Sequence, residues 1–478
     1  MSALFLLYNI YRHIAIVFKI CYNYIDKKMK DLIPQKLNML AEELDGRLYV
    51  VGGACRNFLA GLSGENTDWD ICAPVPPEEL TAAAKRCGLS VVAVYPRTGT
   101  VRLSDDGQSF EFAAFRTDRY VRGLHTPEEI AFTDDIALDA RRRDFKCNAV
   151  YFNITEGRFY DPLGGMADIA NRRLSTVAPS DKVFGEDGLR LMRLCRFAAE
   201  LGFAPDEECL DGAKKHAPLI ADIAPERVYA ELEALLRADK KYANADGHYE
   251  GLRLMRDTGV MRVLFPELAL GDGMAQRPDF HSHDVLEHTL RCVRYAPESI
   301  RLAALLHDVG KPKCLIENGS FARHEEAGEG IAEDILRRLR APSRVISRVC
   351  ALVRWHMYDF ACQARPNKIR KFIVNHGDIW DDLLALKQAD YSACKDDFSP
   401  APGVVRWKKI YADMLKEGAP LNIKQLAVRG DELIAAGVRP ADTAGTLHAL
   451  LEECAINPAL NQRQKLIRLA LGKKCQQN

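Results

Sequence analysis

The chain has 478 residues, 47% of them hydrophobic and 28% charged, which predicts a globular protein of about three or four domains rather than a single core. Lys and Arg number 66, and Asp and Glu also number 66, so the balance excludes a global basic field that holds nucleic acid non-specifically. The 14 cysteines are scattered without a C-x-x-C pair, which favours reduced thiols in the cytoplasm over a disulfide framework.

The N-terminal segment 1–28 is apolar and aromatic, but basic side chains interrupt it before it reaches the length that spans a membrane. We therefore expect no transmembrane helix and no membrane partner. A signal peptide and an amphipathic anchor are alternative interpretations, although the segment lacks a small-residue cleavage site. Met29 stands directly before residues 30–44, which predict a polar helix, and we expect translation to start there. Residues 1–28 then form an extension without a motif.

An apolar strand is predicted at residues 48–51, and it ends at Gly52 and Gly53. Two glycines in a turn let backbone N–H groups approach a phosphate closely. Arg56 opens a short predicted helix, with its guanidinium near the turn. The stretch predicts a site for a nucleotide triphosphate, and we assign Gly53 and Arg56 to it.

Two carboxylates follow on the next predicted strand, residues 67–72. Alternation along a strand places Asp68 and Asp70 on the same face, where they can share Mg²⁺. A lone D-x-D pair is also typical of a solvated strand edge or an Asx turn, but the preceding glycine turn and arginine favour the metal site. The neighbouring predicted strand, 110–116, supplies Glu111 as a third carboxylate. These three carboxylates are the predicted catalytic residues.

The order of these motifs resembles the head domain of the class II tRNA nucleotidyltransferase and poly(A) polymerase family. The resemblance continues downstream with RRDFKCNA at 142–149, EDGLR at 186–190 and ERV at 226–228. It implies that Mg²⁺ is the cofactor of the head and that Arg143 helps to steady the triphosphate. Three positions depart from the family's usual aspartate, arginine and small hydroxyl residue, namely Asn57, Leu124 and Lys146.

Helical periodicity dominates from Phe184 onward, and a helix carrying Asp187, Arg190 and Arg193 at three-residue intervals is predicted. Arg196 would lie further round this helix. The pattern is typical of a salt-bridged surface helix, but behind a polymerase-like head it favours recognition of a base. A carboxylate accepts from an exocyclic amine while a guanidinium donates to the acceptor beside it, and cytosine and adenine share this edge. We assign all four residues to nucleotide binding.

Six of the chain's 12 histidines lie between His281 and His356, in a pattern that resembles the HD phosphohydrolase domain. A single buried histidine is more often a core residue, whereas a His-Asp pair flanked by separated His and Asp residues is typical of a metal site. The cofactor there would be a transition metal or Mg²⁺, and His281 and His283 are expected to be incidental. The predicted metal ligands are His288, His307, Asp308 and Asp390, with His324 and His356 holding a second ion or a phosphate.

The predicted architecture is an α+β nucleotidyltransferase head with a mixed sheet, followed by an all-α neck, body and tail. The expected boundaries are 29–177 for the head, 178–275 for the neck and body helices, 276–400 for the HD domain and 401–478 for the tail. The tail resembles the segment with which the family grips tRNA. Its basic residues could contact phosphates, although they are also typical of a solvated helix face: Arg463, Lys465, Arg468, Lys473 and Lys474.

The resemblance implies a cytoplasmic, Mg²⁺-dependent enzyme that adds the 3′-terminal CCA to tRNA, with tRNA, CTP and ATP as its partners. Addition of poly(A), of CC only or of A only are alternatives, because enzymes with these activities share the motifs. A phosphohydrolase that uses the HD site, with an inactive head, is an alternative of a different class. The sequence does not indicate the oligomeric state.

Overall fold

The computed structural model describes residues 24–62, 68–120, 128–242 and 244–472, which form two compact units divided between Leu264 and Phe265. Most of the predicted N-terminal extension lies outside the described residues, as do Leu124, Lys473 and Lys474. In the described part of the chain, every helix is too short or too polar to cross a bilayer.

The first unit begins with the head, whose main sheet has seven strands in the order β3-β4-β5-β2-β1-β8-β9. Strands β2 and β5 run parallel, whereas β1 pairs antiparallel with both β2 and β8. Two further pairs, β6–β7 and β10–β11, form separate two-stranded sheets. The strands are β1 (Tyr49–Val51), β2 (Trp69–Ala73), β3 (Ser90–Tyr95), β4 (Thr100–Asp105), β5 (Gln108–Ala114), β6 (Arg116–Arg119), β7 (Glu129–Phe132), β8 (Tyr151–Asn153), β9 (Arg158–Tyr160), β10 (Arg173–Leu174) and β11 (Ala204–Pro205).

Apolar residues of the central strands form the core of the head. Val51, Cys72, Phe115 and Tyr151 are buried in one cluster, at most 2% exposed. Along β2, Trp69 and Ile71 are buried while Asp70 between them is only partly buried. Alternation therefore leaves the aspartate on the face opposite these apolar side chains.

Helices of the first unit pack against the head sheet, and from residue 180 onward all of its described elements except β11 are helices. The helix from Leu189 to Leu201 buries most of its residues and ends at Gly202, whose φ of +66° suits glycine. The helices are α1 (Gln35–Glu43), α2 (Gly53–Leu59), α3 (Pro77–Arg86), α4 (Ile136–Arg141), α5 (Gly165–Ala170), α6 (Ser180–Glu186), α7 (Leu189–Leu201), α8 (Glu207–His216), α9 (Pro225–Leu236), α10 (Ala238–Tyr242), α11 (Gly247–Asp257) and α12 (Val260–Leu264).

The regular elements of the second unit are all helices among its described residues. Its helices are α13 (Pro266–Ala269), α14 (Val285–Tyr295), α15 (Arg301–Leu306), α16 (Gly310–Asn318), α17 (His324–Arg338), α18 (Ser343–Trp355), α19 (Pro366–Asn375), α20 (Trp380–Lys395), α21 (Pro402–Lys416), α22 (Gly430–Ala435), α23 (Thr443–Ile456) and α24 (Arg463–Gly472). The predicted mixed-sheet head followed by helices is confirmed, with the two-residue strand β11 as an exception to the all-α remainder.

Candidate active site and metal centre

The glycine turn after β1 brings backbone close to the first predicted carboxylates. Gly52 has a φ of +70°, and a Cβ there would lie 2.9 Å from Oδ2 of Asp70. Helix α2 begins at Gly53, earlier than the sequence indicated, so Arg56 lies within its second turn. The Arg56 side chain is 3% exposed, and it donates to Oδ1 of Asn148 (2.5 Å) and to Oδ1 of Asn57. These contacts hold the guanidinium at the turn.

The predicted carboxylates lie on adjacent parallel strands. Asp68 stands just before β2, and Asp70 is in register with Glu111 on β5. Burial raises the pKa of Asp70, and the charges of Glu111 and Asp68 add to this rise while Arg143 opposes it. A divalent cation would relieve this repulsion, and carboxylate oxygens are the ligands that Mg²⁺ prefers. Asp68 and Asp70 therefore fit a magnesium site.

Glu111 differs from these two aspartates in its surroundings. Its carboxylate is exposed and pairs with Arg102, at 2.8 Å between Oε1 and Nη2. Asp68 and Asp70 line the head cavity described below, and Glu111 lies outside that lining. The structure thus brings Glu111 beside Asp70 in the sheet but leaves it paired with another side chain.

Arg143 is held beside these carboxylates by a buried network. Nη2 of Arg143 lies 3.1 Å from Oδ2 of Asp139, and Nε donates to the hydroxyl of Tyr151 (3.0 Å), which in turn donates to Asp139 (2.7 Å). Burial opposes ionisation of Asp139, but Arg143 and Arg142 hold its pKa below the ordinary value. A fixed guanidinium in this place suits a phosphate group.

The predicted base-reading helix has a different start from the one expected. Asp187 has extended backbone angles and lies in the turn between α6 and α7, so the expectation that it shares a helix with Arg190 and Arg193 is wrong. Its Oδ1 accepts from the N–H of Leu189 at 3.0 Å, as helix-capping carboxylates do. Oδ2 lies 3.5 Å from Arg227. The carboxylate is thereby anchored on one oxygen and faces a cation with the other.

Arg190 is the first of three arginines on α7 that make specific contacts within the first unit. It donates to the carbonyls of Val183 (3.0 Å) and Arg142 (2.7 Å) and to Glu186 (3.3 Å). These contacts engage both terminal nitrogens of its guanidinium.

The other two arginines are engaged mainly by carboxylates. Arg193 pairs with Asp144 at 2.6 Å, and Arg196 pairs with Glu231 at 2.5 Å and with Glu200 at 3.0 Å. Arg193 and Arg196 therefore contribute to the architecture of the site in addition to any contact with a nucleotide.

All of the predicted nucleotide residues line a single cavity of ≈ 630 Å³ in the first unit, which we call the head cavity. The structure adds to it several residues that sequence reasoning did not assign. Asp144 and Asn148 belong to the RRDFKCNA motif, Arg116 ends the predicted strand 110–116 and Arg227 belongs to the ERV motif, so these four were recognisable there. Asp118, Tyr120, Lys241 and Tyr242 lie outside the quoted motifs. The additional lining residues include Arg116, Asp118, Tyr120, Asp144, Asn148, Arg227, Lys241 and Tyr242.

The second predicted site is a cluster of buried histidines and carboxylates in the second unit, which we call the HD cluster. His288, His307 and Asp390 form one group whose ligand atoms lie within 4.8 Å of one another, and Asp308, His324 and His356 form another. Asp308 joins the groups, because Oδ2 lies 3.2 Å from Nε2 of His307 and Oδ1 lies 3.1 Å from Nε2 of His324. This arrangement brings together all six predicted ligands.

Three of these histidines are oriented by backbone carbonyls. The Nδ1 atoms of His307, His324 and His356 lie 2.8, 2.9 and 2.7 Å from carbonyl oxygens of the preceding turn. Such bonds fix the tautomer and leave Nε2 as the acceptor, as in metal-binding histidines. Nε2 of His307 and Nε2 of His324 then face Asp308. The donor set of imidazoles and carboxylates fits a divalent transition metal or Mg²⁺.

His281 and His283, which the sequence set aside, have different surroundings. The ring of His281 packs edge-on against His288, with 4.8 Å between centroids, and it lines the same cavity as the HD cluster. Burial and the neighbouring His288 lower the pKa of His281 to about 4, so this imidazole is neutral. His283 lies 3.7 Å from Asp396 and is not among the grouped ligands. The expectation of an incidental residue therefore does not describe His281.

Known families match three segments of the chain. Residues 48–175 match the poly(A) polymerase head domain, 202–270 match the probable RNA and SrmB-binding site of polymerase A, and 279–382 match the HD domain. A CC-adding tRNA nucleotidyltransferase from Thermus thermophilus is 32% identical over 427 residues, which cover 84% of this chain and 88% of that protein.

Solved structures share the fold. The crystal structure of the Bacillus stearothermophilus CCA-adding enzyme in complex with CTP has a TM-score of 0.63 at 22% identity, over 92% of this chain and 98% of that one. The Thermotoga maritima CCA-adding enzyme complexed with tRNA has a TM-score of 0.53 at 16% identity, over 94% and 98% of the two chains.

The mixed sheet with its paired aspartates, the helices that follow it and the HD cluster define a nucleotidyltransferase with an HD domain. The chain belongs to the tRNA nucleotidyltransferase and poly(A) polymerase family.

Proposed function

We propose that this enzyme adds C, C and A to the 3′ end of tRNA, using CTP and ATP and no nucleic-acid template. The observation that carries the proposal is the shared lining of the head cavity. Asp68 and Asp70, the candidate metal ligands, line the same cavity as Asp187 and Arg190, the candidate base-reading residues. The names of the relatives, which are CC-adding and CCA-adding enzymes, support the same reaction class.

The carboxylate part of the cavity would act on the triphosphate. Asp68 and Asp70 would hold Mg²⁺, which when bound neutralises phosphate charge and favours attack by the RNA 3′-hydroxyl. Arg143 and Arg56 would bind phosphate oxygens, because each guanidinium is fixed by buried partners and lines the cavity. Glu111 would assist from the adjacent strand after leaving its contact with Arg102.

The other part of the cavity would recognise the base. Asp187 would accept from the exocyclic amine that cytosine and adenine share, and Arg190 would donate to the acceptor beside that amine. Uracil and guanine place a carbonyl where the amine should be, and a buried carboxylate facing it costs about 1–3 kcal/mol. The cavity volume is within the range of about 300–1,000 Å³ typical of small-molecule sites, which suits one nucleotide read by side chains.

Addition of CC alone is the second candidate for the head. The Thermus thermophilus relative, at 32% identity, is a CC-adding enzyme. Both reactions require the same phosphate chemistry and the same base-reading pair for CTP. They differ in whether ATP is accepted after two cytidines have been added.

A tRNA transcript that lacks its 3′ end tests the proposal. The full-length protein is incubated with this RNA and each NTP singly, then with CTP and ATP together, and the products are sequenced. We expect C and CC with CTP alone and CCA with both. Growth only to CC identifies the second candidate, and long A tracts identify a poly(A) polymerase. An Asp68→Ala/Asp70→Ala chain is the control, and its activity in parallel would show that another site or a contaminant adds the nucleotides.

The HD cluster supports a second, separate activity. Asp308 contacts histidines of both ligand groups. Four of the six ligands line a cavity of ≈ 810 Å³ together with Lys311 and Lys387, namely Asp308, His324, His356 and Asp390. Two adjacent divalent ions and neighbouring amines are suited to hydrolysis of a phosphate ester. We propose metal-dependent phosphohydrolase activity for this unit, with Mg²⁺ or a transition metal in the cluster.

Binding of tRNA would involve the exposed cations of α24. Arg463, Lys465 and Arg468 are exposed, and Arg463 also pairs with Glu432 at 2.6 Å. Contacts from such residues to phosphates would position the RNA without reading its sequence.

A further inference from the structure

A third group of metal-ligating side chains lies beside the HD cluster. His281, His288 and Cys394 each present one ligand atom, and the three atoms lie within 4.8 Å of one another. His288 also belongs to the first group of the HD cluster, whereas His281 and Cys394 belong to neither of its groups. No family motif quoted above contains Cys394.

Helix α20 supplies a ligand to each of two neighbouring groups. Asp390 and Cys394 are four residues apart, so they lie one turn apart on the same face of the helix. Asp390 lies 3.0 Å from Nε2 of His288. Cys394, one turn further on, faces the side of His288 where His281 packs. The helix thus presents a hard oxygen donor and a soft sulfur donor to the same imidazole.

The position of His281 is fixed by its backbone. Its N–H donates to the carbonyl of Arg277 at 3.0 Å, and the N–H of Ser282 donates to the carbonyl of Cys394 at 2.9 Å. The second bond ties the histidine segment directly to the residue that carries the thiol. The site is therefore built from backbone contacts rather than from an incidental approach of surface side chains.

Three imidazole nitrogens of His281 and His288 are buried and have no hydrogen-bond partner among the described residues. They are Nδ1 of His281 and both ring nitrogens of His288, of which Nε2 lies 3.0 Å from Asp390 as an ion-pair contact. The whole His288 side chain is 0% exposed. A buried polar atom without a partner costs about 1–3 kcal/mol, and a bound cation would remove that cost.

We propose that His281, His288 and Cys394 bind a borderline-soft transition-metal ion such as Zn²⁺ or Co²⁺. Two imidazoles and a thiolate are a typical donor set for such ions, whereas Mg²⁺ requires oxygen ligands. Sγ of Cys394 gives its proton to solvent when the metal–sulfur bond forms. His288 belongs to both groups, so when both ions are bound it bridges them as an imidazolate and its ring N–H proton also passes to solvent. This ion would then lie next to the ions of the HD cluster. The inference does not depend on nucleotide addition by the head.

Cobalt(II) titration of the full-length, metal-stripped protein tests the site. A thiolate bound to Co²⁺ gives a near-ultraviolet charge-transfer band, and the imidazole and carboxylate ligands of the HD cluster do not. We expect the band to grow to one equivalent and to resist a large excess of Mg²⁺. Cys394→Ser should abolish it and lower the bound cobalt by one ion per chain, and His281→Gln should weaken it.

Two other cysteines provide matched controls. Cys362 lines the same cavity, and Cys292 has its thiol beside His307. Replacing either with Ser should leave the band in place. A wild-type protein without the band, or a band that survives Cys394→Ser and disappears in Cys292→Ser, overturns the proposal.

Alkylation of the wild-type chain supplies a measurement that needs no variant. Mass spectrometry after iodoacetamide treatment should show that Zn²⁺ slows modification of Cys394 at least 10-fold and leaves Cys362 unaffected. Equal rates with and without Zn²⁺ would count against the site even if the Cys394→Ser chain failed to fold.

Discussion

Asp144 of the head forms an ion pair with Arg193 on helix α7, and replacing Asp144 with alanine should destabilise the first unit. The residue is buried, and its carboxylate accepts from the N–H of Phe145 (2.7 Å), from Nδ2 of Asn148 (3.0 Å) and from Nε of Arg193 (2.8 Å). Alanine removes the acceptor for all three donors. It also leaves the guanidinium of Arg193 without its nearest counter-charge.

The expected loss follows from the burial of the two partners. Removing one partner of a buried ion pair typically costs about 3–5 kcal/mol. The Asp144 side chain is 7% exposed, but that of Arg193 is 35% exposed and keeps part of its hydration. We therefore expect a loss near the lower limit, about 3 kcal/mol of unfolding free energy.

Urea titration followed by hydrogen exchange of peptides from α7 measures this loss within the first unit. Asp144→Ala, Arg193→Ala and the double variant form a double-mutant cycle, for which we expect a coupling energy of about 2 kcal/mol. Asp181→Ala is the matched control, because Asp181 pairs with Lys215 on the surface and both side chains are more than half exposed. The control should keep the wild-type midpoint. An unchanged midpoint for Asp144→Ala, or a coupling energy near zero, would refute the reasoning.

The same pair gives the stability a defined pH dependence. Burial opposes ionisation of Asp144, but Arg193 and its other donors hold the pKa well below the ordinary value. The folded state then binds the proton less tightly than the unfolded state. The stabilisation is present above the ordinary aspartate pKa of about 3.9 and is lost as the pH falls through the lower, folded-state pKa. The unfolding free energy of the Asp144→Ala chain should not show this decrease at acid pH.

Three further outcomes are expected. Asp68→Ala or Asp70→Ala should abolish nucleotide addition while fluorescence anisotropy still shows tRNA binding, because we propose that these side chains hold the ions rather than the RNA; normal addition would contradict the assignment. Changing His307 and Asp308 together to alanine should leave addition nearly intact and remove metal-dependent phosphatase or cyclic-phosphodiesterase activity, and loss of both activities would indicate one shared site. Tyr242→Phe removes the hydroxyl that accepts from Asn57 at 2.7 Å. We expect it to raise KM for CTP and ATP alike, at a cost of about 1 kcal/mol, and a change in nucleotide choice would argue against this positioning role.

Local patterns were sufficient to predict the strands that carry the candidate carboxylates. The strand that ends at Gly52 and the alternation around Asp70 are properties of consecutive residues, and both appear in the structure. The pairing of Asp70 with Glu111 followed from placing two predicted strands side by side. The ion pair of Glu111 could not be predicted in this way, because its partner Arg102 lies on a third strand.

The start of α7 shows a missed local signal. Asp187 is followed by Gly188 and then by an apolar helix, and an aspartate in this position commonly caps a helix. The three-residue spacing of Asp187, Arg190 and Arg193 outweighed that signal in the sequence interpretation. The structure shows that the spacing crosses the helix boundary.

Other parts of the sites depend on contacts between distant segments. Asn57 and Tyr242 are 185 residues apart, and no periodicity in the sequence relates them. The ligands of the HD cluster were predictable only because they belong to a motif. Cys394 was not predicted, since a lone cysteine is more often a packing residue, although its position four residues after Asp390 was visible.

Values of kcat/KM for CTP, ATP and UTP on tRNA lacking its 3′ end, for the wild type and for Asp187→Ala, test the central claim most directly. In the proposed recognition Asp187 accepts from a base amine that uracil lacks, so its loss should narrow the preference for CTP over UTP by about 1–3 kcal/mol, or about 5- to 150-fold. Arg190→Lys should instead weaken CTP and ATP together, because both bases present the acceptor that the guanidinium meets. An unchanged CTP-to-UTP ratio in Asp187→Ala would contradict the account by showing that this side chain does not read the base.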